Sequence, residues 1–202
     1  MSAITAKTKA VTEAFVRGQV CAAVLEVLKK EGLAKLTIQR VAAAADIAAG
    51  TVYNYFQNKD DLLVHTAVRL FDNIRARQAE AIAAADTPPK KLQAFVEATF
   101  TFFANNISIF NFLDQAQVYC KIDMAVKRNH VDEEIRLLTG IIKEGVDLGL
   151  FNVDNAEVVA NFFHRTIVGT LCVNPELGDF SPQDEASSLC RLFCDILKKR
   201  NQ

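Results

Sequence analysis

The segment GTVYNYFQNK, residues 50 to 59, concentrates side chains suited to gripping and reading a polyanion. The Asn54 amide can donate and accept at one base edge, and Thr51 offers a hydroxyl together with a methyl that suits thymine. Gly50 lets backbone approach closely, Tyr53 and Tyr55 carry phenolic hydroxyls at phosphate reach, and Lys59 adds a cation. Upstream, Gln39 repeats the amide chemistry, while Thr37 and the helix start behind it offer donors to another phosphate. These groups suit hydrogen bonding to DNA. Turnover finds no support: there is no glycine-rich phosphate loop, no H-E-x-x-H, no G-x-S-x-G and no close nucleophile-base pair.

Such side chains need a helix to present them. Advancing 100° per residue from Val52 gathers Ala48, Val52, Tyr55 and Phe56 on one side and leaves Gly50 and Asn54 opposite, flanked by Thr51 and Tyr53. A helix from about Ala48 to Tyr55 would thus be apolar inward and small or hydrogen-bonding outward. Phe56 then belongs to the core, Tyr55 straddles core and phosphate, and Tyr53 faces the groove; the competing view makes all three rings the core of a small bundle. Before it, Thr37 stands as an N-cap to a two-turn helix striped by Ile38, Val41 and Ala45 and ending near Ala44. With "ADI" as connector, the pair reads as a helix-turn-helix that places its second helix in a major groove.

The rest of the chain keeps a helical period without sustained two-residue alternation, which predicts an all-α protein of about nine helices. The first runs from about Ala10 to Glu31. Asn58 caps a long fourth helix, with Asp60 and Asp61 in its first turn. "DTPPKK" opens a fifth that reaches Asn105. "ISIFNFLDQAQVYCKI" makes one sixth helix, and His130 to Gly149 a seventh. Asp154 caps the eighth, "NPELGDF" is a loop, and Ser181 and Pro182 start a ninth that ends in "KKR". The expected division is a helix-turn-helix DNA-binding domain over residues 1–57 and a larger helical body over residues 58–202, to which the family resemblance below assigns ligand binding and dimerisation.

Charge follows this division. Residues 1 to 60 hold eight basic and five acidic residues, a balance of +3, against a chain total of -1, so the remainder carries -4. That asymmetry suits an N-terminal unit approaching a polyanion, and a solvated helical surface also produces it. Five cysteines without a C-x-x-C pair fit a reducing cytoplasm. The N-terminus has no secretory h-region, and the most apolar window, Phe95 to Leu113, is too polar to span a bilayer. His65, His130 and His164 make no metal-ligand pair, so no metal or cofactor is expected, and Cys190 and Cys194 read as buried apolar residues rather than a redox pair.

In the eighth helix Val158, Val159, Phe162, Phe163, Ile167 and Leu171 make an apolar surface wider than one stripe, and Ala186, Leu189, Cys190, Phe193, Ile196 and Leu197 do so in the ninth. Packing both against a second copy as a four-helix bundle would bury them, with Gly169 permitting close approach; internal core is the alternative.

"LTIQRVAAAADIAAGTVYNYFQNKDDLL" resembles the signature of TetR-family transcriptional regulators, and "IIKEGVDLGLF" looks like that family's seventh-helix ending. The resemblance implies a two-domain helical chain that dimerises through its last two helices, here near residues 155–172 and 182–199, and represses from a palindromic double-stranded operator until a small ligand releases it. It also implies that rings of the body line a pocket for an apolar or aromatic effector, the candidates being Phe102, Phe103, Phe110, Phe112, Tyr119 and Phe163, with His164 to orient the ligand. Ala48 and Ala49 depart from the pattern, since the family often has Ser and a polar or basic residue before the glycine. Base reading must then lean on Gln39, Thr51 and Asn54. The alternative function is a helical carrier or enzyme whose helix-turn-helix no longer binds DNA.

Overall fold

The computed structural model describes residues 3–177 and 181–198. Every regular element among them is helical: α1 (Ala3–Glu31), a 3-10 turn (Leu33–Lys35), α2 (Ile38–Ala44), α3 (Ala49–Tyr53), α4 (Lys59–Ala83), α5 (Pro88–Asn105), α6 (Ile107–Gln115), α7 (Val118–Lys121), α8 (Met124–Asp147), α9 (Ala156–Leu177) and α10 (Pro182–Leu197). The chain folds as two compact units. One comprises residues up to Phe71 with Ile107–Ile122, the other Asp72–Asn106 with the residues from Asp123 onward, so α4 contributes to both.

In the first unit α1 packs on α2 and on α6, and α2 packs on α3. Val20, Val24, Val27 and Leu28 recur at helical spacing along α1 and are buried, as are Ile38 and Val41 of α2, Val52 of α3 and Phe56 just beyond it. Each such side chain contributes roughly 1.5–3 kcal/mol by leaving water. The turn between α2 and α3 closes as a Schellman motif: Asp46 N–H donates to Ala43 O at 3.2 Å, Ile47 N–H to Ala42 O at 3.0 Å, and Asp46 takes the left-handed conformation at φ 54°.

In the second unit α5 packs against α10 and α8, and α8 against α9. Leu92, Phe95 and Phe100 of α5, Leu138 and Ile142 of α8, Phe163 of α9 and Phe193 of α10 form its core, the last two rings lying 4.1 Å apart between centroids. A second Schellman motif ends α8, with Gly149 at φ 70° and Leu150 N–H donating to Gly145 O at 2.9 Å. It folds Phe151 back onto Gly145 so closely that a Cβ there would stand 2.0 Å from the ring.

Several boundaries differ from the sequence expectations. The single helix predicted over residues 107 to 122 is two, because Gln117 turns into the left-handed region at φ 52° and separates α6 from α7. α8 begins at Met124 rather than His130, since the Asp123 carboxylate caps it by accepting from Ala125 N–H at 2.7 Å. α9 is capped by Asn155, whose Oδ1 accepts from both Glu157 and Val158 N–H at 3.1 Å, rather than by Asp154. The same helix continues through Asn174–Leu177, where a loop was expected, and the rest of that loop lies outside the described residues. The last helix ends at Leu197 rather than in "KKR", because Lys198 is already extended as its C-cap; Lys199 and Arg200 lie outside the described residues. α3 is shorter than predicted, closing at Asn54. Among the described residues no helix is long and apolar enough to cross a membrane.

Candidate nucleic-acid interface

The helix-turn-helix is built from the inside outward. Val52 is fully buried, Phe56 nearly so, and the intervening Tyr53 is 54 % exposed. Asn54 and Gly50 are exposed, and Thr51 and Tyr55 are partly so. A Cβ built on Gly50 would meet nothing within 4 Å, and Gly50 holds no positive φ. Nothing in the unit therefore requires glycine at this position.

The N-terminus of α2 is capped as expected: Thr37 Oγ1 accepts from Arg40 N–H at 3.2 Å, which leaves the hydroxyl proton to donate outward. Gln39 is exposed on the same turn. At α3 the N-cap is Ala48, which makes no side-chain cap bond, the structural counterpart of the alanine pair noted in the sequence. Lys59 Nζ donates to Leu33 O at 3.4 Å, holding the start of α4 to the 3-10 turn. Arg40, which carries no signal of its own in the sequence, pairs with Glu31 of α1. Thr37, Gln39, Gly50, Thr51, Tyr53, Asn54, Tyr55 and Lys59 all lie within the first unit, so one small domain carries the candidate DNA-contacting set.

The candidate pocket residues divide between the units. Phe110, Phe112 and Tyr119 belong to the first, where Phe112 lies against Gly32 and Tyr119 is 57 % exposed. Phe102, Phe103, Phe163 and His164 belong to the second. There Phe102 lines an open groove of about 460 Å³ between α4 and α5, floored by Ala81, Ala84, Ala94 and Ala98, with Arg77 stacked 5.9 Å above its ring. Phe163 is wholly core.

His164 joins a buried polar cluster. Its Nε2 lies 2.8 Å from Glu134 Oε2, while Gln78 Nε2 donates to Glu134 Oε1 at 2.9 Å and to Thr99 Oγ1 at 3.0 Å. His130 Nε2 lies 3.9 Å from Glu134 Oε1. Burial pushes the Glu134 carboxyl up, but His164, the His130 charge and Gln78 outweigh it and hold the group below its usual range. The one clue was the i, i+4 spacing of His130 and Glu134. Among the described residues no group of His, Cys, Asp or Glu could hold a metal ion. Burial, with Cys194 and Glu97 near, raises the Cys190 thiol to about 12, which keeps it protonated and unreactive.

A helix-turn-helix with an outward polar face, joined to a separate all-helical body, is the architecture of a DNA-binding regulator rather than of an enzyme. Residues 21–66, which include the whole helix-turn-helix, match the model of bacterial regulatory proteins of the tetR family. The chain is 28% identical to the fatty acid metabolism regulator protein of Bacillus subtilis over 65% of this chain and 68% of that one. It is 30% identical to the HTH-type transcriptional repressor KstR of Mycolicibacterium smegmatis over 57% of this chain, spanning about half (56%) of the relative's length. The fold is shared with the transcriptional regulator FadR from Bacillus subtilis in complex with stearoyl-CoA, at a TM-score of 0.66 and 20% identity, covering 87% of this chain and 96% of that one.

Proposed function

We propose that the chain is a dimeric repressor that holds a palindromic operator through α3 and leaves it when an apolar effector fills the helical body. The observation that carries the DNA half is the alternation at α3, with Val52 and Phe56 buried while Gly50, Tyr53 and Asn54 face outward. In this reading Asn54, Thr51 and Gln39 contact base edges, Gly50 lets the helix backbone close on the groove, and Thr37, Tyr53, Tyr55 and Lys59 hold phosphates.

A second copy would pack on α9 and α10. Val158, Phe162 and Val168 on α9, and Leu192 and Ile196 on α10, are exposed apolar residues, while Phe163, Ile167, Cys190 and Phe193 of the same helices are buried inward. A Cβ on Gly169 would meet nothing within 4 Å, so this stretch of α9 is open to a partner helix. Two recognition helices must then sit about 34–36 Å apart to meet successive major grooves. Because α4 contributes to both units, a change in the body reaches the DNA-contacting unit through it.

The names of the relatives favour a long acyl chain as the first effector class to try, since one regulates fatty acid metabolism and another was solved with stearoyl-CoA. The test is selection from randomised duplexes followed by footprinting, with fatty acids and acyl-CoA esters titrated onto the recovered complex. A protected palindrome, released by one of these compounds, is expected. Failure to enrich any duplex would refute the DNA reading, and a protected palindrome indifferent to every acyl compound would refute the effector class.

A further inference from the structure

Arg17 of α1 reaches two residues that hold the end of the recognition helix in place. Its Nη1 lies 2.6 Å from His65 Nε2 on α4, and its guanidinium carbon sits 5.3 Å from the centre of the Phe56 ring. Phe56 and His65 meet edge to face, with centroids 5.5 Å apart. One turn before His65, Asp61 stands 3.9 Å from the same Nε2, and its Oδ2 accepts from the backbone N–H of Gln57 at 2.8 Å. The Asp61 N–H in turn donates to Asn58 Oδ1 at 2.9 Å. Arg17, His65 and Asp61 therefore fasten the Phe56–Asn58 turn, which follows directly on α3, to both α1 and α4.

The Arg17 to His65 bond has only one possible polarity. A guanidinium has donors and no acceptor, so His65 Nε2 must accept, which places the ring proton on Nδ1 and leaves the imidazole neutral. An imidazolium has no acceptor to offer. Once protonated, His65 would confront Arg17 as a like charge, release it and turn to Asp61 Oδ1, whose companion Oδ2 holds the Gln57 N–H. The charged groups facing the ring are Arg17 from α1 and Asp61 from its own helix; Arg69, further along α4, lies against Gly18 of α1.

We propose that Arg17, His65 and Asp61 form a proton-sensitive latch that positions α3 for DNA, closed while His65 is neutral and open once it is protonated. The inference rests on the DNA-binding function above and makes His65 a positioning residue, not a DNA contact. Burial lowers the affinity of His65 for a proton, Asp61 opposes this and Arg17 adds to it, so the net shift is downward from 6.5. A depressed value in the folded state means that the stability held by the latch is complete above 6.5 and is lost as pH falls through the lowered value.

The experiment uses the full chain and the duplex recovered by selection at about pH 8, with dissociation constants measured by fluorescence anisotropy there and at about pH 5.5. Wild-type affinity is expected to fall roughly tenfold on acidification, the loss of one charge-assisted bond. H65Q keeps an acceptor for Arg17 but does not titrate, and its ratio between the two pH values is expected to shrink to about twofold or less, whatever its absolute affinity. An unchanged ratio in H65Q, or a wild-type affinity that does not fall, would overturn the latch. Nitrogen chemical shifts of His65 in the DNA-free protein probe the latch independently of DNA binding. The Nδ1–H tautomer is expected at about pH 8, and an Nε2–H tautomer would overturn the proposal even where the duplex binds.

Discussion

Glu134 and His164 meet at 2.8 Å in the buried interior of the helical body, tying α8 to α9, while Gln78 of α4 donates both to the same carboxylate and to Thr99 of α5. A carboxylate held below its usual range in the folded state contributes stability that is present above its unfolded value of 4.5 and lost as pH falls through the lowered one. Replacing Glu134 by Ala leaves His164 and Gln78 buried without their shared acceptor, at an expected cost of about 3 kcal/mol. Urea denaturation at neutral pH measures it. The Glu134→Gln protein should also lose part of the wild-type decline in stability below pH 4.5; an unaltered decline would show that another group is responsible.

Gly145 is required by contact rather than by backbone conformation. Its φ is not positive, yet a Cβ would stand 2.0 Å from the Phe151 ring, and Phe151 N–H donates to Gly145 O at 3.0 Å. Gly145→Ala is expected to lower stability by about 2–3 kcal/mol through overpacking. Combining it with Phe151→Leu should cost less than the sum of the single changes, because the two positions share one contact. Additive losses would contradict that coupling.

Asp46 and Gly149 occupy the same left-handed position in two Schellman motifs, and only Asp46 carries a Cβ there. Asp46→Gly should raise stability by about 0.5–1 kcal/mol, since glycine adopts this conformation without the side-chain penalty. A thermal melt is sufficient, and a lower midpoint would mean that the aspartate makes a compensating interaction.

Phe162 and Ile196 are each 66 % exposed on neighbouring helices of the proposed dimer face. Charged replacements there, Phe162→Glu with Ile196→Glu, are expected to yield a folded monomer by light scattering while the wild type elutes as a dimer. A variant that remains dimeric would move the interface elsewhere.

Much of the DNA-contacting unit was legible because its signals are local. Thr37 precedes an apolar stripe, and Val52 and Phe56 are four apart, which fixes which side of α3 is buried. The break at Gln117 was not, since a glutamine in the left-handed region has no composition cue. Nor was the α8 start, where Asp123 caps a helix whose first turns carry little apolar periodicity. The polar centre of the body joins Gln78 to Glu134 across 56 residues of sequence, and the latch joins Arg17 to His65 across 48. Periodicity carries no information about pairs that only the tertiary fold brings together.

The proposed role of α3 is tested most directly at Gly50, where helix stability and the proposed groove contact make opposite demands. Open space surrounds the missing side chain, so Gly50→Ala should favour the helix by up to about 0.8 kcal/mol and raise the melting temperature. If the outward face of α3 closes on a major groove, the added methyl should at the same time weaken binding to the selected duplex by about tenfold or more. The decisive measurement is the anisotropy titration of this variant beside its melt. A more stable protein with impaired DNA binding is expected, and a more stable protein that binds as tightly as the wild type would contradict the placement of Gly50 against DNA.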